Sequence, residues 1–201
     1  MFGDGAPESG AWIAPEPPPS MSFIDQDAAD ADAGAANAVV RATVAPALFR
    51  EAMSRLGAAV HVVTTDGPAG KAGFTATAVC AVSDDPATLL VCLNRRSRVT
   101  PVLAGNGSFC VNTLPADEDT IADVFAGRTG RIMGERFEAG RWTVLASGSP
   151  VLESAVVSLD CRVVDVKAVA THNVFFAVVE AIRHGPSVPA LVYHDRAYKR
   201  V

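Results

Sequence analysis

Apolar residues gather along this chain in short runs of strand length, separated by polar turns that carry Gly, Pro and Asp. "AAVHVVTT" (58–65), "AGFTATAVCAVS" (72–83) and "ATLLVCL" (87–93) are the first three runs. "TDGPAG" between the first two has hairpin-turn chemistry, and Ser83 to Pro86 make the next turn. Further strands are predicted at 108–114, 151–168 and 173–184, with a last one around "ALVYH". Helical spacing is rarer. In "PALFREAMSRLG", Leu48, Phe49, Ala52, Met53 and Leu56 share one face, Pro46 suits the first turn and Gly57 the C-terminal cap. Residues 98–104 read as a short helix, and "ADEDTIADVFAG" as a helix with acidic residues in its first turn, where the dipole favours them. The Gly- and Arg-rich stretch 128–141 reads as a mobile polar loop.

Strands outnumber helices and do not alternate with them, which argues against a doubly wound parallel sheet. The pattern predicts a mainly β fold with flanking helices, an antiparallel barrel closed or partly closed. Residues 1–42 break the pattern. "APESGAWIAPEPPPS" is rich in proline, and "DQDAADADAGAANA" is acidic with few large apolar groups. Such composition cannot offset the entropy of ordering, so a disordered arm is predicted there and a single domain over 43–201.

Composition narrows the function. The chain has 201 residues, 49% of them apolar, enough for one domain with a sizeable core. A net charge of −5 offers no electrostatic invitation to nucleic acid or an anionic membrane. Cys80, Cys92, Cys110 and Cys161 form no C-x-x-C pair and read as free thiols of a cytoplasmic protein. No secretory leader is visible, and no run approaches the roughly 20 apolar residues of a spanning helix.

Two small polar clusters are candidates for binding an anion. Gly73, Thr75, Ala76 and Thr77 combine small side chains with hydroxyls, so a phosphate could lie against the backbone. Asn94, Ser97 and Arg98 end the neighbouring strand with an amide, a hydroxyl and a guanidinium. If 72–83 and 87–93 pair as a hairpin, the two clusters meet. A solvated strand end with ordinary threonine content is the competing reading. Of the histidines, His61 reads as a hydrogen-bonded strand residue and His184 as an exposed strand end. His172 sits at the turn between two long strands, where loop residues more often work than pack, and His194 could fall nearby. No spacing suggests a metal site, no G-x-S-x-G or G-x-G-x-x-G occurs, and no cysteine has an activating partner. Chemistry here would be borrowed from a cofactor.

From about Leu48 to Tyr198 the chain resembles the short-chain flavin reductases, in "FREAMSRLGAAVHVVTTDGPAGKAGFTATAVC", "FCVNTL", "THNVFF" and "GPSVPALVYHDRAY". The segment "GAAVHVVTTDGPAGKAGFTATAVC" is similar to that of the NADH-dependent FMN reductases of pyrimidine utilisation, which pass reduced flavin to a monooxygenase. The resemblance implies an FMN-binding antiparallel split barrel of Greek-key type, working as a homodimer. It places Gly73, Phe74, Thr75, Ala76, Thr77 and Ala78 along the flavin, with Cys92, Leu93 and Asn94 lining the same site. Ser97 and Arg98 match the phosphate-binding turn, and Val63, Thr64 and Thr65 would approach the isoalloxazine edge. His172, with Asn173 beside it, matches the nicotinamide pocket. The family often has Gly-Asp-His there, and this chain has Ala170-Thr171-His172.

The implied activity is hydride transfer from NADH to FMN or FAD, with reduced flavin released to a flavin-dependent monooxygenase. Two other readings share the site: a flavoprotein that reduces another acceptor, such as a corrin, or a flavin carrier that never admits nicotinamide. Nucleic-acid binding through the 128–141 loop is disfavoured by the acidic total.

Overall fold

The computed structural model describes residues 43–201, so the arm predicted over 1–42 lies outside the described residues. The chain begins α1 (Pro46–Ser54), β1 (Ala58–Ala59), β2 (His61–Thr65), β3 (Ala72–Ala76), β4 (Val79–Asp84), β5 (Ala87–Asn94), α2 (Val99–Asn106), β6 (Ser108–Thr113) and α3 (Asp119–Phe125). It continues α4 (Met133–Arg136), a 3-10 turn (Phe137–Ala139), β7 (Trp142–Val144), β8 (Pro150–Leu152), β9 (Val157–Val169), β10 (His172–His184), β11 (Leu191–His194) and β12 (Ala197–Arg200). Seven strands form one antiparallel sheet in the order β3-β2-β6-β9-β10-β5-β4. A three-stranded sheet, β1-β11-β12, and a two-stranded one, β7-β8, flank it.

The predicted strand 72–83 is two strands. β3 and β4 occupy opposite edges of the large sheet, yet only Thr77 and Ala78 lie between them. Three residue steps span at most about 11 Å, so the sheet curls until its edges meet at this corner. No ladder joins β3 to β4 among the described residues, and the ring is not closed by hydrogen bonds.

Four other expectations need correction. The run 58–65 changes sheets at Val60, whose N–H reaches Leu191 O (2.9 Å) and whose carbonyl accepts from Leu114 N (3.0 Å). The run 151–168 is broken after Leu152 by a turn closed by Ala155 N–H to Leu152 O, 3.2 Å. The 128–141 stretch is not a featureless loop. Its apolar residues Met133 and Phe137, four apart, pack onto two different core clusters and hold a helical turn together. Helix α1 ends at Ser54 with Arg55 as its cap, so Gly57 lies beyond it.

The two clusters lie on opposite faces of β2. Val63 joins Phe74, Leu89, Val91, Leu103, Phe109 and Phe175 in one. Val60 and Val62 join Leu114, Ile121, Phe125, Leu152 and Leu191 in the other. Phe125, Phe137 and Trp142 close the second with edge-on contacts, centroids 5.1 to 5.5 Å apart. The helix α1 contributes to neither. It is held by an Arg196–Glu51 ion pair (2.5 Å) and by Asp195 N–H to Ser54 O (2.7 Å), while Leu48, Phe49, Met53 and Leu56 stand 46–63% exposed. Arg196 also holds the Glu51 carboxyl below its usual range. No described helix is long and apolar enough to cross a membrane.

His61 is the hydrogen-bonded strand residue expected, its Nδ1 3.0 Å from Thr113 Oγ1. Burial disfavours the imidazolium and lowers its pKa from 6.5 to about 4. The unfolded chain takes up this proton near pH 6.5 and the folded chain only near 4. The contribution to stability is therefore intact above 6.5 and lost as pH falls from 6.5 to 4, by up to about 3 kcal/mol. Urea denaturation across that window is expected to show this slope in the wild type and its loss in His61→Gln. Equal slopes would disprove the assignment.

Candidate active site

The corner where the sheet edges meet is built by β5 and the crossover from β3 to β4. Ala78 O accepts Cys92 N–H (3.0 Å), which sets Thr77 and Ala78 beside the end of β5. There the chain turns tightly on Asn94, whose Oδ1 accepts Arg96 N–H (2.9 Å). Its backbone carbonyl accepts both Ser97 N–H (2.9 Å) and the Thr100 hydroxyl (2.8 Å). Ser97 Oγ accepts Val99 N–H (3.2 Å), and α2 starts immediately after Arg98. The N-cap residue Arg98 makes no capping bond with its own side chain, and it is exposed at the N-terminal end of the helix. A hydroxyl, a guanidinium and the positive end of a helix thus adjoin one another.

His172 reaches the same corner from the other side. It opens β10 directly opposite Asn94 in the β5–β10 ladder, and Asn173 pairs with Leu93. Arg95 fastens the two turns, its N–H to Thr171 O (3.0 Å) and its guanidinium to Ala170 O (3.4 Å). The imidazole is exposed, with Nδ1 2.9 Å from Thr171 Oγ1. Ala170 takes φ +47°, a left-handed turn conformation that glycine adopts without strain. An open recess of about 510 Å³ lies among Asn94, Arg95, Arg96, Ala170 and Thr171. His194 is elsewhere, at the end of β11 in the small sheet.

The remaining candidates spend their side chains on the interior. Val63, Phe74, Ala76 and Leu93 are core residues. The buried Thr64 hydroxyl donates to Pro150 O, and that of Thr65 to Ser108 O at 2.7 Å. Thr75 donates to Ala122 O (2.6 Å) in α3. Gly73 is small for a reason internal to the fold: a Cβ there would lie 2.7 Å from the Phe125 ring. Its N–H points to Met133 Sδ at 3.4 Å. Of these strands only β3 lies at a sheet edge among the described residues, so its residues can offer a ligand backbone atoms that the ladder leaves partly free. Sequence reasoning passed over Arg128, Tyr193 and Tyr198, which face the end of β3 from the other side. Their only signal was the tyrosine pair of "VYHDRAY", five residues apart.

An anion such as a phosphate suits the groups gathered at this corner: the exposed Arg98 guanidinium, the half-buried Ser97 hydroxyl, the N-terminal end of α2 and the exposed Thr77 hydroxyl. Residues 53–201 match the model of the flavin reductase like domain. The chain belongs to the flavin reductase-like family. It is 49% identical over 174 residues to the FMN reductase (NADH) RutF of Variovorax paradoxus strain S110, covering 85% of this chain and 96% of that one. A crystal structure of a candidate flavin reductase from Haemophilus somnus 129PT superposes with a TM-score of 0.75 at 40% identity, covering 79% of this chain and all of that one. The reductase BorF, a component of a bacterial two-component tryptophan halogenase, superposes with a TM-score of 0.72 at 26% identity, covering 77% and 97%.

Proposed function

We propose that the protein is an NADH-dependent flavin reductase that uses FMN and hands reduced flavin to a partner monooxygenase, in the cytoplasm and in pyrimidine degradation. The observation that carries this is the placement of His172 opposite Asn94, beside the Ser97–Arg98 turn and the Thr77–Ala78 crossover. The identity to the Variovorax FMN reductase (NADH) supports the cofactor pair and the pathway. The halogenase reductase, by its name one half of a two-component system, supports the delivery of reduced flavin to another enzyme.

Flavin and dihydronicotinamide together supply the hydride-transfer chemistry. The chain's own residues bind and orient. Ser97, Arg98 and the open end of α2 hold the phosphate, and Thr77 with the Ala78 and Cys92 backbone flanks the polyol. His172 and Asn173, at the start of β10, orient the nicotinamide carboxamide. Holding two rings in register accounts for most of the acceleration available to such an enzyme. The corner is open to solvent, which suits a flavin that must leave.

The protomer is half of a split-barrel homodimer. Its support is the unburied apolar face of α1 and the exposure of nearly all of β4, which bears Cys80, Ala81 and Val82. Light scattering that returned the mass of one chain would overturn this.

The deciding experiment is NADH oxidation in air by flavin-stripped protein with FMN, FAD or riboflavin added. Turnover is expected to follow added FMN over many equivalents. Turnover independent of added flavin, or none, would contradict the reading. In His172→Ala, the KM for NADH is expected to rise about tenfold while flavin affinity holds, as when one hydrogen bond to a bound group is lost. An unchanged KM would remove His172 from the nicotinamide site.

A further inference from the structure

His172 does not stand alone at the start of β10. Its Nδ1 lies 2.9 Å from the hydroxyl of Thr171, the residue before it. Val169 pairs with His172, so Ala170 and Thr171 form a two-residue turn, and Ala170 at its first position takes φ +47°. Arg95 pins both residues from the end of β5: its N–H donates to Thr171 O (3.0 Å) and its guanidinium to Ala170 O (3.4 Å). The backbone under the hydroxyl is thus held at two consecutive carbonyls. Threonine is also branched at Cβ, which restricts the rotation that would swing its hydroxyl away. The contact is built into the turn although both side chains are exposed.

A neutral imidazole has one N–H and one bare nitrogen, and the hydrogen bond made at one ring nitrogen sets the state of the other. Nδ1 faces the threonine, so Nε2 is the nitrogen left for a ligand. A hydroxyl can donate as well as accept. Donation to Nδ1 leaves the proton on Nε2 and makes the outer end of the ring a donor. Acceptance from Nδ1–H would leave Nε2 bare and make it an acceptor. Donation is favoured on two grounds. A neutral histidine side chain in water already prefers its proton on Nε2, and Nδ1 is the one hydrogen-bond partner of the Thr171 hydroxyl among the described residues.

We propose that Thr171 is a positioning residue, whose hydroxyl donates to His172 Nδ1, holds the ring in one orientation and presents Nε2–H to the carboxamide oxygen of the nicotinamide. The proposal rests on the reductase reading for the ligand, and on the pinned turn for the geometry. Arg95 supports the hydroxyl from beneath, through the two carbonyls it engages. An aspartate at position 171 could only accept, which would hold the proton on Nδ1 and turn Nε2 into an acceptor. The residue before His172 therefore decides which end of a carboxamide the ring recognises.

The test reads the ring directly as well as turnover, in the full chain carrying Thr171→Val, Thr171→Ser or Thr171→Asp. Nitrogen NMR of isotope-labelled histidines at about pH 8.5, above the usual histidine range, reports which ring nitrogen carries the proton. The His172 signals are those missing from His172→Ala. The wild type and Thr171→Ser are expected to show Nε2–H, and Thr171→Asp to show Nδ1–H. In steady state, Thr171→Val is expected to raise the KM for NADH about threefold to tenfold, the worth of one neutral hydrogen bond, with the KM for FMN unchanged. Thr171→Ser should restore most of that loss, and Thr171→Asp none of it. Nδ1–H in the wild type, or a wild-type KM in Thr171→Val, would overturn the proposal. So would Thr171→Ser behaving like Thr171→Val, because a role in shape alone is met by valine and not by serine. Nε2–H in the wild type with an unchanged KM in His172→Ala would reject the nicotinamide role of His172 while leaving its contact with Thr171 standing.

Discussion

Asn112→Ala is expected to remove about 4 kcal/mol of folding stability, a severe loss for one side chain. Asn112 is wholly buried in β6, and its amide ties together four strands. Nδ2 donates to Val62 O and to Thr64 Oγ1, each at 3.1 Å. Oδ1 accepts Leu152 N–H (2.8 Å) and the Ser158 hydroxyl (2.9 Å). Alanine leaves these donors and acceptors in a space that water does not reach, and each orphan costs about 1–3 kcal/mol. Domains of this size have only about 5–15 kcal/mol in hand, so the variant is expected to unfold early in urea and to express poorly. The damage should reach the site as well. Among the described residues the strand β2, which Asn112 secures, is the only sheet neighbour of β3, and β3 leads into the crossover. A change below about 1 kcal/mol in urea denaturation would show that the network is redundant.

Arg98→Ala is expected to raise the KM for FMN about tenfold, the equivalent of one charge-assisted hydrogen bond at an exposed position. Neighbouring Arg95 is already engaged with Ala170 O and Thr171 O across the turn, whereas Arg98 stands exposed at the start of α2. The proposed role of Arg98 is to recognise the phosphate, so riboflavin should be reduced by the variant as well as by the wild type. Folding should be untouched, because the side chain is exposed. Equal loss with FMN and riboflavin would place Arg98 outside the phosphate turn, and no loss with either would remove it from the site.

The two sets of residues differ in how far they could be read before any coordinates. The 94–98 turn and His172 were legible because their chemistry is local: a strand ends, and amide, hydroxyl and guanidinium follow within five residues. Tyr193, Tyr198 and Arg128 were not legible, since their meeting depends on α3 and the C-terminal hairpin arriving at the same end of β3. Gly73 was legible as a point of close approach, but the group that approaches it is the Phe125 ring, 52 residues away in sequence. The Arg-rich 128–141 stretch misled for a related reason. Its charge suggests solvent on every side, and only the placement of Met133 and Phe137 shows which side is buried.

The amino-acid sequence alone determined that this is an antiparallel, mainly β protein with a phosphate-suited turn and a histidine at a strand end. Period-two apolar runs and turn residues act within a few positions, and no distant contact is needed to express them. Tertiary structure alone decided that the run 72–83 breaks at Thr77–Ala78 and that its halves lie on opposite sheet edges. It also decided that Val63, Thr64 and Thr65 face the interior and that the α1 face is left exposed among the described residues. Apolar residues in a run record that they will be buried, but not against what. The partner is chosen by pairings between strands tens of residues apart, and those are settled by the sheet as a whole.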